Sequence, residues 1–195
     1  GLPSVAIRSP RHPVMQALLQ AVHFPLAAPS ANRSGFISPT SPAHVLTSLD
    51  GRIDLVLDGG SSDAGVESTI VAWRGDGRWE ELRPGPIQIA DAVPSEGDRI
   101  EAPGQLASHY APGKPVRLDA TQVAQDEFWI GFGQIAGDCT LSAKGDLNQA
   151  AARLYDCLHQ GASSAKPRIA IAPIPSEGIG RAINDRLKRA AAPSH

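Results

Sequence analysis

Residues 28–42 read APSANRSGFISPTSP. Four serines, a threonine, an asparagine, an arginine and three prolines crowd into this stretch, and apolar runs bracket it. Part of it is ordinary turn chemistry. Asx and Ser turns account for Ser30, Asn32 and Ser34, and Ser41 before Pro42 forms an N-cap and N1 pair that starts a helix over 42–49. The same groups also suit a ligand. Ser30, Asn32, Ser34 and Ser38, the peptide N–H groups around Gly35 and the helix N-terminus at 41–43 could together bind phosphate oxygens or a nucleobase. Composition alone leaves both readings open. Neither GxxxxGK[ST] nor GxGxxG occurs, so the usual phosphate-loop folds are not supported.

Upstream, SVAIR (4–8) alternates like a strand, and HPVMQALLQAV (12–22) spaces its apolar residues as a helix does. PLAA (25–28) and IDLVLDGG (53–60) read as buried strands. STIVAW (68–73) and WEELR (79–83) read as two strands joined by the RGDGR turn. Between 88 and 115, prolines 94, 103, 112 and 115, with Gly104 and Gly113, predict an extended linker. Beyond it, EFWIGFG (127–133) and PRIAIAPIP (167–175) are strand candidates. GDLNQAAARLYDCLHQ (145–160) and EGIGRAINDRLKRAA (177–191) are amphipathic helices. Alternating strands and helices with short connections predict a parallel α/β unit.

A net charge of −2 over 195 residues argues against a surface built to bind polyanions throughout. No apolar run is long enough for a membrane helix, and no signal-peptide pattern is visible. Cys139 and Cys157, without a CxxC or a nearby histidine pair, read as two buried thiols in a reducing cytoplasm rather than a zinc site. The only methionine, Met15, falls inside a helix, and all four lysines lie at or beyond residue 114.

Three shorter patterns stand out. GVESTIV (65–71) puts Glu67, Ser68 and Thr69 at a strand mouth, where hydroxyls can face a ligand, although β-propensity also explains Thr69. Arg83 in LRPG is either a solvated edge residue or a bidentate phosphate clamp. SHYAP (108–112) sets His109 beside Tyr110 inside a linker, so the pair either folds over a neighbouring unit or anchors the linker. His12, His23, His44 and His159 fit structural or solvated positions, and no Ser–His–Asp order emerges. GRAINDRLKR is a basic helix face, by itself a weak nucleic-acid signal.

SVAIR, PLAAPSANRSGFISPT, DLVLDGG, GVESTIV and LRPGPI, in that order, resemble the C-terminal half of the YrdC-type catalytic domain. APGQLASHYAP, the APIP strand and GRAINDRLKRAA resemble the Sua5 form of threonylcarbamoyl-AMP synthase, which adds a C-terminal domain after a linker. The likeness runs over essentially the whole chain. It implies an α/β fold with a partial YrdC-like twisted mixed sheet over 1–87, a linker over 88–115, and a small Rossmann-like parallel α/β domain over 116–195. It also implies an L-threonylcarbamoyladenylate synthase, a nucleotidyltransferase joining L-threonine, bicarbonate and ATP with release of pyrophosphate in tRNA t6A37 biosynthesis.

Carried over motif by motif, Ser4, Ser30, Asn32, Ser38, Arg83 and Tyr110 are expected around the ATP. Arg8, Ala28 and Ser68 are expected around the threonine. ATP is a substrate, and Mg2+ is expected with it. The protein itself supplies no nucleophile and no metal ligand. The resemblance further implies a cytoplasmic protein without membrane contact, with tRNA or t6A-transferase proteins as further partners. The family's lysine- and arginine-bearing N-terminal segment has no counterpart here, so the chain is expected to be N-terminally truncated and to carry half a site. Two other readings remain: a non-catalytic RNA-binding or regulatory YrdC-like module, and the carbamoyl-adenylate chemistry of hydrogenase maturation proteins.

Overall fold

The computed structural model describes residues 4–95, 100–104, 106 and 108–193. The remaining linker positions, 96–99, 105 and 107, lie outside that description. Two separate sheets organise the chain. The first has the order β1 (Ile70–Trp73), β2 (Trp79–Arg83), β3 (Val93–Pro94). It is mixed: β1 pairs antiparallel with β2, and β2 pairs parallel with β3. The second sheet is wholly parallel, in the order β4 (Val116–Arg117), β7 (Arg168–Ile171), β5 (Glu127–Gly131), β6 (Cys139–Thr140). The expected mixed sheet followed by a parallel α/β unit is therefore present, and among the described residues no strand is shared between the two.

Helices α1 (Pro13–Val22) and α2 (Pro42–Leu49) belong to the first unit. The Ser41 hydroxyl accepts from the His44 N–H, and Pro42 occupies the first turn, so α2 starts where the sequence places it. In the second unit, α3 (Leu147–Ser163) is capped by Asp146, whose carboxylate accepts from the N–H groups of Asn148 and Gln149. Its apolar stripe, including Ala151, Leu154, Tyr155 and Leu158, packs with Ile130, Leu141, Ile169 and Ile171 of the sheet. Helix α4 (Gly180–Ala191) adds Ile183 and Leu187 to the same core.

Three expected strands differ. SVAIR, PLAA and IDLVLDGG are extended but pair with no strand among the described residues. Their side chains face outward: Val5 is 82% and Ile7 91% exposed, and Leu55 and Leu57 are exposed too. β-Propensity makes a segment extended, but a ladder needs a neighbour offering N–H and C=O groups, and here none is in reach.

The linker runs along the first unit. Ala111 N–H donates to the Gly35 carbonyl at 2.9 Å, and Phe36 forms a parallel bridge with Ala111. The linker also reaches α4, where His109 N–H donates to the Arg189 carbonyl at 3.2 Å. No helix among the described residues is long and apolar enough to cross a membrane.

The cysteines correct the expectation of two thiols. Cys139 on β6 and Cys157 on α3 face each other across the core with Cα atoms 5.7 Å apart, within bonding reach, and form a disulfide. Their spacing in sequence resembles no metal motif because the contact is made by packing a helix on a strand. Thiol titration of the denatured, unreduced protein is expected to find no free thiol. Two titratable thiols would return the pair to the reduced state.

Candidate functional site

A cavity of about 560 Å³ opens between the loop over 28–42, the segment over 56–62, the start of the β1 region and the linker. Its wall holds Arg8, Ala28, Ser30, Ser38, Ser68, Arg83 and Tyr110, seven of the nine residues expected to bind ligand. Ser4 lies on the exposed N-terminal segment, and neither it nor Asn32 is part of this wall. Thr40, Ser41, Gly59, Gly60, Glu67, Gly104 and His109 also line it.

Backbone contacts fix the rim. Ser62 N–H donates to the Thr40 carbonyl at 2.8 Å, tying the 56–62 segment to the loop. Asn32 serves the loop itself. Its amide Nδ2 donates to the carbonyls of Arg33, Phe36 and Ile37 at 3.1, 2.9 and 3.2 Å, which is the role of a turn-holding residue. Thr69 likewise is spent inside the fold, its hydroxyl donating to the Ile87 carbonyl at 2.6 Å.

Arg83 is buried at the floor. Its Nε and Nη2 donate to the Ser68 carbonyl at 3.1 and 2.9 Å, and Nη1 donates to the Pro103 carbonyl at 3.1 Å. These acceptors are all neutral. A buried guanidinium held this way keeps its positive charge available to an anionic ligand, although burial lowers its pKa. Tyr110 is 1% exposed and adopts φ 62°, a left-handed conformation forced on a bulky residue, with its ring edge against His109. Its hydroxyl and His109 Nδ1 are buried without a hydrogen-bond partner. Gly104 makes room for the ring, since a Cβ there would stand 2.5 Å from the hydroxyl oxygen.

Glu67 carries the electrostatics. Its carboxylate accepts from the Ser38 hydroxyl at 2.6 Å, from the Tyr155 hydroxyl at 3.0 and 2.9 Å, and from Arg186 Nε at 2.9 Å. Burial pushes its pKa up, but the Arg186 charge and the hydrogen bonds from Ser38 and Arg186 outweigh it and hold the carboxyl below its ordinary value. Sequence reasoning noted Glu67 at a strand mouth but gave it no role, placed Tyr155 on the apolar face of its helix with no role at the site, and did not single out Arg186. One signal was available for Arg186. It sits on the helical stripe shared by Ala182, Ile183, Leu187 and Ala190, where a charged residue must be buried and therefore paired. The basic face expected of α4 is partly neutralised: Arg181 pairs with Glu81, Arg186 with Glu67 and Arg189 with Asp185, while Lys188 stays exposed.

A mixed sheet whose unit carries a hydroxyl- and arginine-lined cavity, followed by a parallel α/β unit, defines a two-part α/β protein. Residues 1–85 match the family described as telomere recombination, and residues 78–192 match that described as threonylcarbamoyl-AMP synthase, C-terminal domain. The chain belongs to the Sua5/YrdC threonylcarbamoyl-AMP synthase family. It is 34% identical to the threonylcarbamoyl-AMP synthase of Bacillus subtilis over 98% of its own length and 64% of the relative's. Against the Pyrococcus abyssi enzyme it is 30% identical over 98% of its length and 65% of the relative's. The crystal structure of P. abyssi Sua5 complexed with L-threonine superposes with a TM-score of 0.82 and 28% identity, covering 98% of this chain and 65% of that one. The chain thus spans just under two thirds of the relatives it matches.

Two outcomes follow from the geometry. Asn32→Ala is expected to leave three loop carbonyls without their donor and destabilise the fold by about 1–3 kcal/mol, read from urea unfolding. An unchanged midpoint would move Asn32 from the loop to the ligand. The second outcome concerns His44 of α2 and His159 of α3, whose rings stack with centroids 3.9 Å apart. Burial lowers both below 6.5. Asp156 partly opposes this at His44, whereas the neighbouring His44 adds to it at His159. The unfolded histidines therefore take up protons first. The pair's contribution to stability is complete above pH 6.5 and is lost as pH falls below it through the lower folded values. His159→Phe is expected to flatten that decline in the urea midpoint. An unchanged slope would show that the pair does not cause it.

Proposed function

We propose that the protein carrying this chain is an L-threonylcarbamoyladenylate synthase acting in tRNA t6A37 biosynthesis, with the cavity as its substrate site. Convergence carries the reading. The hydroxyls of Ser30, Ser38 and Ser68, the buried guanidinium of Arg83 and the linker residue Tyr110, far apart in sequence, line one cavity. The likeness to a Sua5 solved with L-threonine supports it.

In this reading Ser30, Ser38, Arg83 and Tyr110 face the ATP, and Arg8, Ala28 and Ser68 face the threonine. Asn32 supports the site from outside the wall by holding the loop carbonyls. The division into 1–87, 88–115 and 116–195 separates the substrate wall, a linker that closes it, and a supporting unit.

The chemistry asks little covalent work of the protein. Threonine's amino group takes up bicarbonate to give a carbamate with loss of water. The carbamate oxygen then attacks the α-phosphorus and expels pyrophosphate. Such a displacement needs reactants held in line and developing charge met by fixed donors, which hydroxyls and an arginine supply. Mg2+ enters with ATP, held by phosphate oxygens and water. The pairing of Arg181, Arg186 and Arg189 leaves Lys188 as the exposed cation of this face of α4, which weighs against the RNA-binding alternative because phosphate binding needs several free cations.

Pyrophosphate release from ATP that requires both L-threonine and bicarbonate is the expected activity. Ser30→Ala, at an exposed wall position, is expected to weaken ATP binding by about threefold to tenfold at an unchanged melting temperature. Release that ignores threonine, or ATP affinity untouched by Ser30→Ala, would overturn this assignment of substrates.

A further inference from the structure

Two side chains of the parallel unit hold segments that carry the cavity wall. Arg186 of α4 has no exposed side-chain surface and places Nε 2.9 Å from the Glu67 carboxylate. Its Nη1 donates to the Pro84 carbonyl at 2.8 Å and to the Asp185 carboxylate at 3.1 Å, and its Nη2 to the Glu67 carbonyl at 3.4 Å. Glu67 directly precedes Ser68, and Pro84 directly follows Arg83. One guanidinium therefore holds the backbone next to two residues of the cavity wall, which are themselves joined by the Arg83 bonds to the Ser68 carbonyl. Tyr155 of α3 completes the grip. Its hydroxyl donates to the carboxylate whose other oxygen contact, from Ser38, fixes the opposite wall.

We propose that Arg186 and Tyr155 are positioning residues for the cavity: through Glu67 and Pro84 they set where Ser38, Ser68 and Arg83 stand, and so set the affinity for the anionic substrate. This deepens the synthase reading and rests on it for the choice of ligands.

Three features separate positioning from mere cohesion. The partners of Arg186 include main-chain carbonyls beside the wall residues, so losing it frees the wall rather than only the interface. Glu67 is bound by groups from both units, so it transmits any shift of α3 or α4 to Ser38. The contacts are also directional. A guanidinium forks between two segments, which an ammonium of equal charge cannot reproduce. Displacing substrate-binding groups by a fraction of an ångström is enough to alter binding and rate.

The test compares wild type, Tyr155→Phe, Ser38→Ala and their double variant, by calorimetry with Mg·ATP and with L-threonine, beside thermal melting of each. Tyr155→Phe keeps the packed ring and removes only the donor to Glu67. It is expected to weaken binding by about tenfold with little change in melting temperature. Its effect is expected to be non-additive with Ser38→Ala, since both act through one carboxylate. Arg186→Lys, which keeps the charge but not the fork, is expected to weaken binding at least as much.

Unchanged affinity in Tyr155→Phe, or strict additivity with Ser38→Ala, would overturn the proposal. Wild type that binds neither ligand would instead overturn the synthase reading of the cavity. The proposal is then decided by NMR. In Tyr155→Phe the Arg83 Nε–H resonance is expected to move and the Glu67 carboxyl to titrate at higher pH than in wild type. Both unmoved would overturn it.

Discussion

The structure turns on a buried ion pair between Glu67 and Arg186. A guanidinium with no exposed surface cannot be left uncompensated, because the desolvation of an unpaired ion exceeds what a domain's net stability can absorb. Asp185 on the same helix shares the charge at 3.1 Å, and Glu67 at 2.9 Å is the partner from the mixed-sheet unit. The Arg186–Glu67 contact therefore joins the two units, and the cavity lies beside it.

Other features conform to this docking. Gly65, with φ 66°, lies against the backbone of α3, where a Cβ would come within 2.1 Å of the Ala151 carbonyl oxygen. Only glycine allows the Gly65–Glu67 segment to approach α3 closely enough for Tyr155 to reach the carboxylate. The His44–His159 stack lies at the same seam, and His159 Nε2 is 3.2 Å from the Ser38 carbonyl. The seam thus combines one deep charge pair, a close backbone approach and a titratable aromatic pair. Acid would strain the last of these before the first, since Glu67 keeps its charge below its ordinary range.

The linker shows why connecting chain can belong to a site. It is tied to the loop by the Ala111–Gly35 bond and to α4 by the His109–Arg189 bond. Tyr110 between them is pinned in a left-handed conformation with its hydroxyl buried and unpartnered. Backbone strain and an unmet polar group are both costly, and they persist where the surroundings hold them in place. This places the aromatic ring in the cavity wall at Arg83 rather than on the surface of a free spacer.

Much of the local structure could be read from residues alone. Ser41–Pro42 starts α2, Asp146 starts α3, the RGDGR turn joins β1 to β2, and alternating strands and helices mark the parallel unit, because caps, turns and periodicity are chemistry between near neighbours. The family resemblance brought seven residues of the cavity wall into view, since Ser30, Ser68, Arg83 and Tyr110 each sit in a short recognisable string. What the chain could not reveal was anything requiring a distant partner. Whether SVAIR and IDLVLDGG join a ladder depends on neighbours that no local pattern supplies. For Asn32 the sequence left a turn and a ligand role side by side, and the fold commits its Nδ2 to three loop carbonyls. Cys139 and Cys157 became a disulfide because helix and strand pack together, and Arg186 left the solvent because its stripe of α4 faces Glu67. These outcomes rest on contacts between segments up to 119 residues apart, and the free energy of such contacts exists only once the units have docked.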